Sequence, residues 1–177
     1  MKLMIASDIH GSAFYCRQML EAFENEHAER LLLLGDILYH GPRNDLPKDY
    51  APKQVISMLN AVKESLFCVR GNCDTEVDQM VLEFPVLSEQ ALLSIDGTEM
   101  LAVHGHKPFP ASKCGSVVLS GHTHIPKFEE KDGVFYMNPG SVSIPKEESH
   151  HGYMTFEHGE FLWKDFDGNI KNSFKIK

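Results

Sequence analysis

No stretch of this chain is apolar for long enough to cross a bilayer. The longest purely aliphatic run is Leu31 to Leu34, whereas a membrane helix needs roughly 20 apolar residues. Near the start, Lys2 is followed by only Leu3 to Ala6 before Ser7-Asp8, too short for the apolar core of a secretion signal. The expected compartment is therefore the cytoplasm. Cysteine is sparse: Cys16, Cys68, Cys73 and Cys114 form no CxxC pair and no zinc-finger spacing. They are expected as reduced thiols, and thiolate-bound metal is not expected. There is no block of Lys or Arg to track a phosphate backbone, and the net charge is −8, which argues against nucleic acid as a partner. A small anionic substrate fits such a chain only if the site itself supplies positive charge. Internal repeats, low-complexity segments and linkers are also missing, so residues 1–177 are read as one domain.

What the chain does have is an ordinary globular composition, 42% hydrophobic and 24% charged, enough to bury a core without disulfides. Lys2 to Ser7 reads as a short buried strand that stops at Asp8-Ile9-His10-Gly11. Ser12 is placed to cap a helix whose apolar positions Cys16, Met19, Leu20 and Phe23 follow helical spacing. A second strand, Leu31 to Leu34, stops at Gly35-Asp36. After a Pro-containing loop from Tyr39 to Pro52, a second helix carries Val55, Met58, Leu59 and Val62 on one face. A third strand, Leu66 to Val69, ends in Arg70-Gly71-Asn72-Cys73-Asp74. This β-α-β-α-β order predicts parallel strands with right-handed crossovers, and ligands beyond their carboxyl ends.

Helical periodicity fades after about Leu82. Short apolar segments follow at Leu92 to Ile95, Met100 to Val103, Val117 to Leu119, Val134 to Met137, Tyr153 to Phe156 and Phe161 to Trp163. Turn pairs such as Asp96-Gly97, Asp132-Gly133 and His158-Gly159 separate several of them, and mostly antiparallel hairpins are predicted. The fold class is α/β, with two facing sheets and helices outside.

Five polar clusters sit at the ends of predicted strands: Ser7 to Gly11, Gly35-Asp36, Gly71 to Asp74, His104 to His106 and Gly121 to His124. Asp8 and His10 are two residues apart, as are His122 and His124, so in extended chain each pair points to one side. Singly, each cluster has an ordinary explanation in helix capping, turn chemistry or a hydrogen-bonded histidine. Jointly, carboxylate, imidazole and amide donors without thiolate suit Mn²⁺, Fe²⁺, Co²⁺, Zn²⁺ or Mg²⁺.

In this order the series DxH, GD, GNxD, H, GHxH resembles the calcineurin-like metallophosphoesterase superfamily. The strings SDIHG, GDILYHGPRN, RGNCD and NPGSVSIPK are similar to those of YfcE-type bacterial phosphodiesterases. The resemblance implies an αββα four-layer sandwich, two mixed β-sheets face to face and flanked by helices. It also implies two divalent metal ions, with Mn²⁺ first among the candidates. Asp8, His10 and His124 would hold one ion, Asn72, His104 and His122 the other, and Asp36 would bridge them. The implied reaction is hydrolysis of a phosphoester by in-line attack of a hydroxide bridging the two metals.

Two dications, two carboxylates and one hydroxide leave roughly one positive charge in such a site, which mildly favours a diester monoanion as substrate. Asn72, Cys73, Asp74 and Arg43 are assigned to catalysis, Asp74 by anchoring its loop. Arg43 reads either as a phosphate contact or as a solvated loop arginine. Cys73 stands where many relatives carry histidine and reads either as a weak proton donor or as a small packing residue. His106 is expected behind the ligands, and His150-His151 at the surface. A non-catalytic metal-binding scaffold of the same fold and a nuclease are the alternative readings. A homodimer is compatible with exposed strand edges.

Overall fold

Alternation along the first two strands sets the layering. In β1 (Leu3–Ala6), Leu3 and Ile5 face one apolar cluster, while Met4 and Ala6 face another. In β2 (Arg30–Leu33), Leu32 joins the first cluster, while Leu31 and Leu33 join the second. A strand buried on both faces must lie in a sheet covered on both sides. The computed structural model, which describes residues 1–108 and 116–176, shows what covers it. Cys114 lies outside the described residues.

Helix α1 (Ala13–Asn25) is capped by Ser12, whose side chain accepts a hydrogen bond from the Tyr15 N–H. It buries Cys16, Met19 and Phe23. Helix α2 (Pro52–Ala61) begins on its proline and buries Val55 and Leu59. Both helices pack these side chains against the outer faces of β1 and β2. Next come β3 (Leu66–Cys68), the short α3 (Glu76–Gln79), and strands β4 (Gln90–Ile95), β5 (Thr98–Val103), β6 (Val117–Leu119), β7 (Pro126–Lys131) and β8 (Val134–Pro139). The last strands are β9 (Gly152–Glu157), β10 (Glu160–Asp165) and β11 (Ile170–Lys175).

One sheet has the order β11-β10-β9-β1-β2-β3 and the other β4-β5-β6-β8-β7. Both are mixed. β1, β2 and β3 pair in parallel, as the β-α-β-α-β reading requires. The inner faces meet through side chains such as Leu3, Ile5, Leu32, Ala102, Leu119 and Trp163. The Trp163 indole N–H donates to the Asn138 carbonyl at 2.7 Å, which satisfies it inside the core.

The three turn pairs close β4–β5, β7–β8 and β9–β10 as antiparallel hairpins. Both residues of each pair have positive φ: Asp96 50° and Gly97 80°, Asp132 52° and Gly133 74°, His158 49° and Gly159 78°. That is the twist-matching turn of tight hairpins. The expectation of mostly antiparallel hairpins holds at these three turns, while at the centre of the second sheet β5–β6 and β6–β8 are parallel. Strands β7 and β11 were not expected at all. They are edge strands with mostly exposed side chains, so they carry no apolar alternation. No helix of the described residues is long and apolar enough to cross a membrane.

Candidate metal centre

Strands β1, β2, β3, β5 and β6 deliver the five polar clusters to one place. Their backbone there is not extended. Asp8, His10, Asp36, His122 and His124 have φ of 60°, 49°, 56°, 66° and 62°. The alternation argument for Asp8/His10 and His122/His124 is thereby corrected: left-handed residues direct these side chains, at about 1–2 kcal/mol each. Hydrogen bonds from Asp8 N–H to the Gly35 carbonyl at 3.1 Å and from His10 N–H to the Asp36 carbonyl at 2.9 Å hold the turns.

Asp8, His10 and His124 form one group of converging donors, and Asp36, His104 and His122 another. In the first, Asp8 Oδ1 lies 3.2 Å from His124 Nε2 and 3.6 Å from His10 Nε2. In the second, Asp36 Oδ2 lies 3.4 Å from His104 Nε2. The same oxygen is 3.7 Å from His10 Nε2, so it faces both groups. The Asn72 side-chain oxygen is 3.1 Å from His104 Nε2. His122 and His124 thus divide between the two groups instead of converging on one point.

Each carboxylate has one oxygen anchored and one turned to the site. Asp8 Oδ2 accepts from the Ser7 hydroxyl at 2.6 Å and from the His122 N–H at 3.0 Å. Asp8 Oδ1 is buried and makes no hydrogen bond. Asp36 Oδ1 accepts from the Cys73 N–H at 2.8 Å, and Oδ2 is turned toward the imidazoles. Glycine is required for this packing: a Cβ on Gly71 would sit 2.1 Å from Asp36 Oδ1, and one on Gly121 would sit 1.9 Å from the Ser7 hydroxyl.

The histidines are oriented in the same manner. Nδ1 of His10, His104 and His124 lies 2.7, 2.6 and 2.7 Å from the carbonyls of Tyr39, Leu34 and Ile144. A carbonyl only accepts, so each Nδ1 carries a proton, and in the neutral ring each Nε2 presents a lone pair. Yet His10 Nε2 and His124 Nε2 are only 3.1 Å apart. With both rings neutral, two lone pairs face each other there, beside a buried carboxylate oxygen that has no hydrogen-bond donor among the described residues. The arrangement calls for a cation, and the donor set of imidazole, carboxylate and amide fits a divalent metal.

Where no cation is bound, protons on the imidazoles balance the carboxylates instead. Burial opposes ionisation of Asp8, but the imidazoles of His10 and His124 outweigh it and hold the carboxyl well below the usual range. Burial likewise opposes the charged form of His104, but Asp36 and Asp8 overcome it and push the imidazole up to about 9. His10 is raised by Asp8 against the same burial.

Asn72, Cys73 and Arg43 line a cavity of about 380 Å³ together with His10, Asp36 and Lys146. Cys73 Sγ also groups with His10 and Asp36 within metal-ligand reach. Burial, and then the charge of Asp36, push that thiol up to about 12. Asp74 does not line the cavity. It accepts from the N–H groups of Asp36, Ile37 and Gly71 at 2.8, 2.9 and 2.7 Å, which clamps the β2 and β3 loops together. Its place is that of a positioning residue and not of a group at the reacting atoms.

His106 stands behind the ligands, with its ring 5.4 Å from that of His104. The surface expectation for His150 and His151 is corrected, since both are half-buried and His151 stacks on Tyr15 at 3.9 Å. Sequence reasoning missed Ser7, Ser141, Ser143 and Lys146. The hydroxyls of Ser141 and Ser143 donate to the Asp8 carbonyl at 2.9 and 3.1 Å. The signal was present in the NPGSVSIPK string, which holds both serines and the lysine.

Comparison with known proteins agrees with this geometry. A family model described as the calcineurin-like phosphoesterase superfamily domain matches residues 1–160. Phosphodiesterase YfcE of Escherichia coli strain K12 is 47% identical over 150 residues, covering 82% of each chain. A solved structure of YfcE, described as a phosphoesterase from E. coli, matches with a TM-score of 0.96 and 41% identity over the whole of both chains. Zinc-complexed Vps29 from Entamoeba histolytica matches with a TM-score of 0.65 and 18% identity over 99% of each chain, a likeness of fold alone. The αββα expectation holds as two mixed sheets with flanking helices, and the family implies divalent metal ions. With its motifs, sheets and donor groups all of one pattern, the chain belongs to the calcineurin-like phosphoesterase superfamily.

Proposed function

We infer that the chain is a phosphodiesterase working with two divalent metal ions, and that residues 1–177 form one catalytic unit. Asp8, His10 and His124 would hold the first ion and Asn72, His104 and His122 the second, with Asp36 placed to serve both. Mn²⁺ is the metal favoured by family resemblance. The observation that carries the reading is Asp36 Oδ2, which accepts no backbone hydrogen bond among the described residues and faces His104 Nε2 at 3.4 Å and His10 Nε2 at 3.7 Å. When bound, the metals supply Lewis acidity, which makes a water acidic enough to act as nucleophile and draws charge from the phosphoryl oxygens.

The chain's own residues do the rest. The carbonyls of Tyr39, Leu34 and Ile144 fix the imidazoles so that Nε2 faces inward. Asn72 is held by its amide donating to Cys73 Sγ at 3.3 Å. Arg43 and Lys146 line the cavity and bind the phosphoryl oxygens as cations. The neutral thiol of Cys73 is a weak donor, so the departing oxygen draws its proton from water and acidic leaving groups are favoured. One net positive charge suits a small diester monoanion, and the site of action is placed in the cytoplasm.

The test is hydrolysis of bis(4-nitrophenyl) phosphate before and after exhaustive chelation. Activity should disappear with the metals and return with added Mn²⁺. Undiminished hydrolysis by chelated protein would refute the reading.

A further inference from the structure

A second groove of about 530 Å³ lies beside the metal cavity. Two short segments join the two spaces. Arg43 and Asn44 line both. Along the other segment, Lys146 lines the metal cavity while its neighbours Ile144 and Pro145 line the groove. Each of these is large enough to receive part of one ligand, and the shared lining makes them neighbouring parts of one surface.

The chemistry of the groove differs from that of the metal cavity. Tyr15 and His151 both line it, with ring centroids 3.9 Å apart and planes 11° from parallel. The pair is fixed: His151 Nδ1 lies 2.9 Å from the Val142 carbonyl, and Tyr15 projects from α1, packed against the core. Leu46, 62% exposed, adds an aliphatic side chain to the lining. Fixed rings with aliphatic neighbours recognise a planar ring by stacking and edge contacts, with little ordering cost. Tyr15, His151 and Leu46 are not among the metal-centre donors.

A phosphodiester has two ester arms. One leaves, while the other stays on phosphorus, so its binding can be used both before and during the reaction. We propose that this groove is the subsite for the retained ester arm and that it takes an arm bearing a planar aromatic ring. The proposal rests on the phosphodiesterase reading and adds the class of substrate to it.

The experiment keeps 4-nitrophenolate as the leaving group and varies the other arm among methyl, phenyl and thymidin-5′-yl, using Mn²⁺-loaded protein. An aryl arm also changes intrinsic reactivity, so the readouts are KM and the change in selectivity between variants. Wild type should bind one or both ring-bearing esters with a KM about tenfold below that of the methyl ester, by the usual worth of one ring stack. Preference for phenyl would place the ring directly on the ester oxygen, and preference for thymidinyl would place it beyond a sugar. Both Leu46→Asp, at an exposed position, and His151→Ala should reduce the ring preference at least threefold while leaving the methyl ester unaffected.

Equal KM values in wild type, or a preference untouched by both variants, would overturn the subsite. If no ester is hydrolysed with any divalent ion, the phosphodiesterase reading fails instead. The groove is then tested by titrating diphenyl phosphate and following the ring resonances of Tyr15 and His151: movement of those resonances supports the subsite, and their constancy overturns it.

Discussion

Cys73 is where this chain departs most from the histidine expected after a GN pair, and its surroundings say what the change does. Its N–H is committed to Asp36 Oδ1 at 2.8 Å, and its Sγ receives the Asn72 amide at 3.3 Å. The residue therefore organises a carboxylate and an amide while offering the substrate little acidity, its thiol being held up to about 12 by burial and by Asp36. A histidine in its place would bring an acid near neutrality. We expect Cys73→His to raise turnover of diesters with poor leaving groups relative to good ones by about tenfold or more, within the usual range for general-acid assistance. The check is a leaving-group series in which log kcat is plotted against leaving-group pKa. An unchanged slope would show that position 73 takes no part in leaving-group departure.

Among the elements, the C-terminal end of α1 is tied through Glu26 to β9, to β10 and to the residue just before β1. Its carboxylate meets Lys2 at 2.6 Å, Lys164 at 2.7 Å and the Tyr153 hydroxyl at 2.8 Å. Burial works against ionisation, but Lys164 and Lys2 outweigh it and hold the group down to about 2, from an ordinary 4.5. The sign follows directly. The contribution is complete above about pH 4.5 and fades as pH falls toward 2, because protons bind the unfolded chain first. Glu26→Gln should cost about 1–2 kcal/mol at pH 7, with the gap to wild type closing between pH 4.5 and 2 in denaturant titrations. A gap that is constant with pH would mean that the side chain acts through packing alone.

Elements differ in how far they could be read from residues. β1 and β2 announce themselves through Leu3, Ile5, Leu31 and Leu33, each fully buried. By contrast, Pro126-Lys127-Phe128-Glu129-Glu130-Lys131 has no apolar face because β7 sits at a sheet edge, paired only to β8. The parallel pairing of β5 with β6 was also hidden, since local turn chemistry carries no information about a crossover.

At the scale of the whole molecule, a chain of net charge −8 presents Arg43 and Lys146 beside its metal centre. Under the proposed function, those two cations draw the anionic substrate to a chain that is acidic overall. The donors were legible because each cluster follows a strand and includes or adjoins glycine, and strand ends on one side of a parallel sheet must converge. The anchoring of the donors was not legible. Asp8 is braced by Ser141, 133 positions away in the chain, and one-dimensional spacing cannot reveal that a particular carboxylate oxygen is filled and its twin left bare. Nor could it reveal the left-handed backbone at Asp8, His10, Asp36, His122 and His124, which only the surrounding hydrogen bonds make tolerable.

The central claim is that two ions share Asp36. It is tested most directly by elemental metal analysis of the purified protein, run alongside diester hydrolysis as Mn²⁺ is titrated into the chelated form of wild type and of Asp36→Asn. The account predicts two divalent ions per chain in fully active wild type, with hydrolysis appearing as the second ion binds. Asp36→Asn should hold fewer ions and lose at least about a hundredfold in kcat, the scale expected when a metal centre is disassembled. Full hydrolysis at one ion per chain, or an Asp36→Asn protein that keeps both ions and its activity, would contradict it.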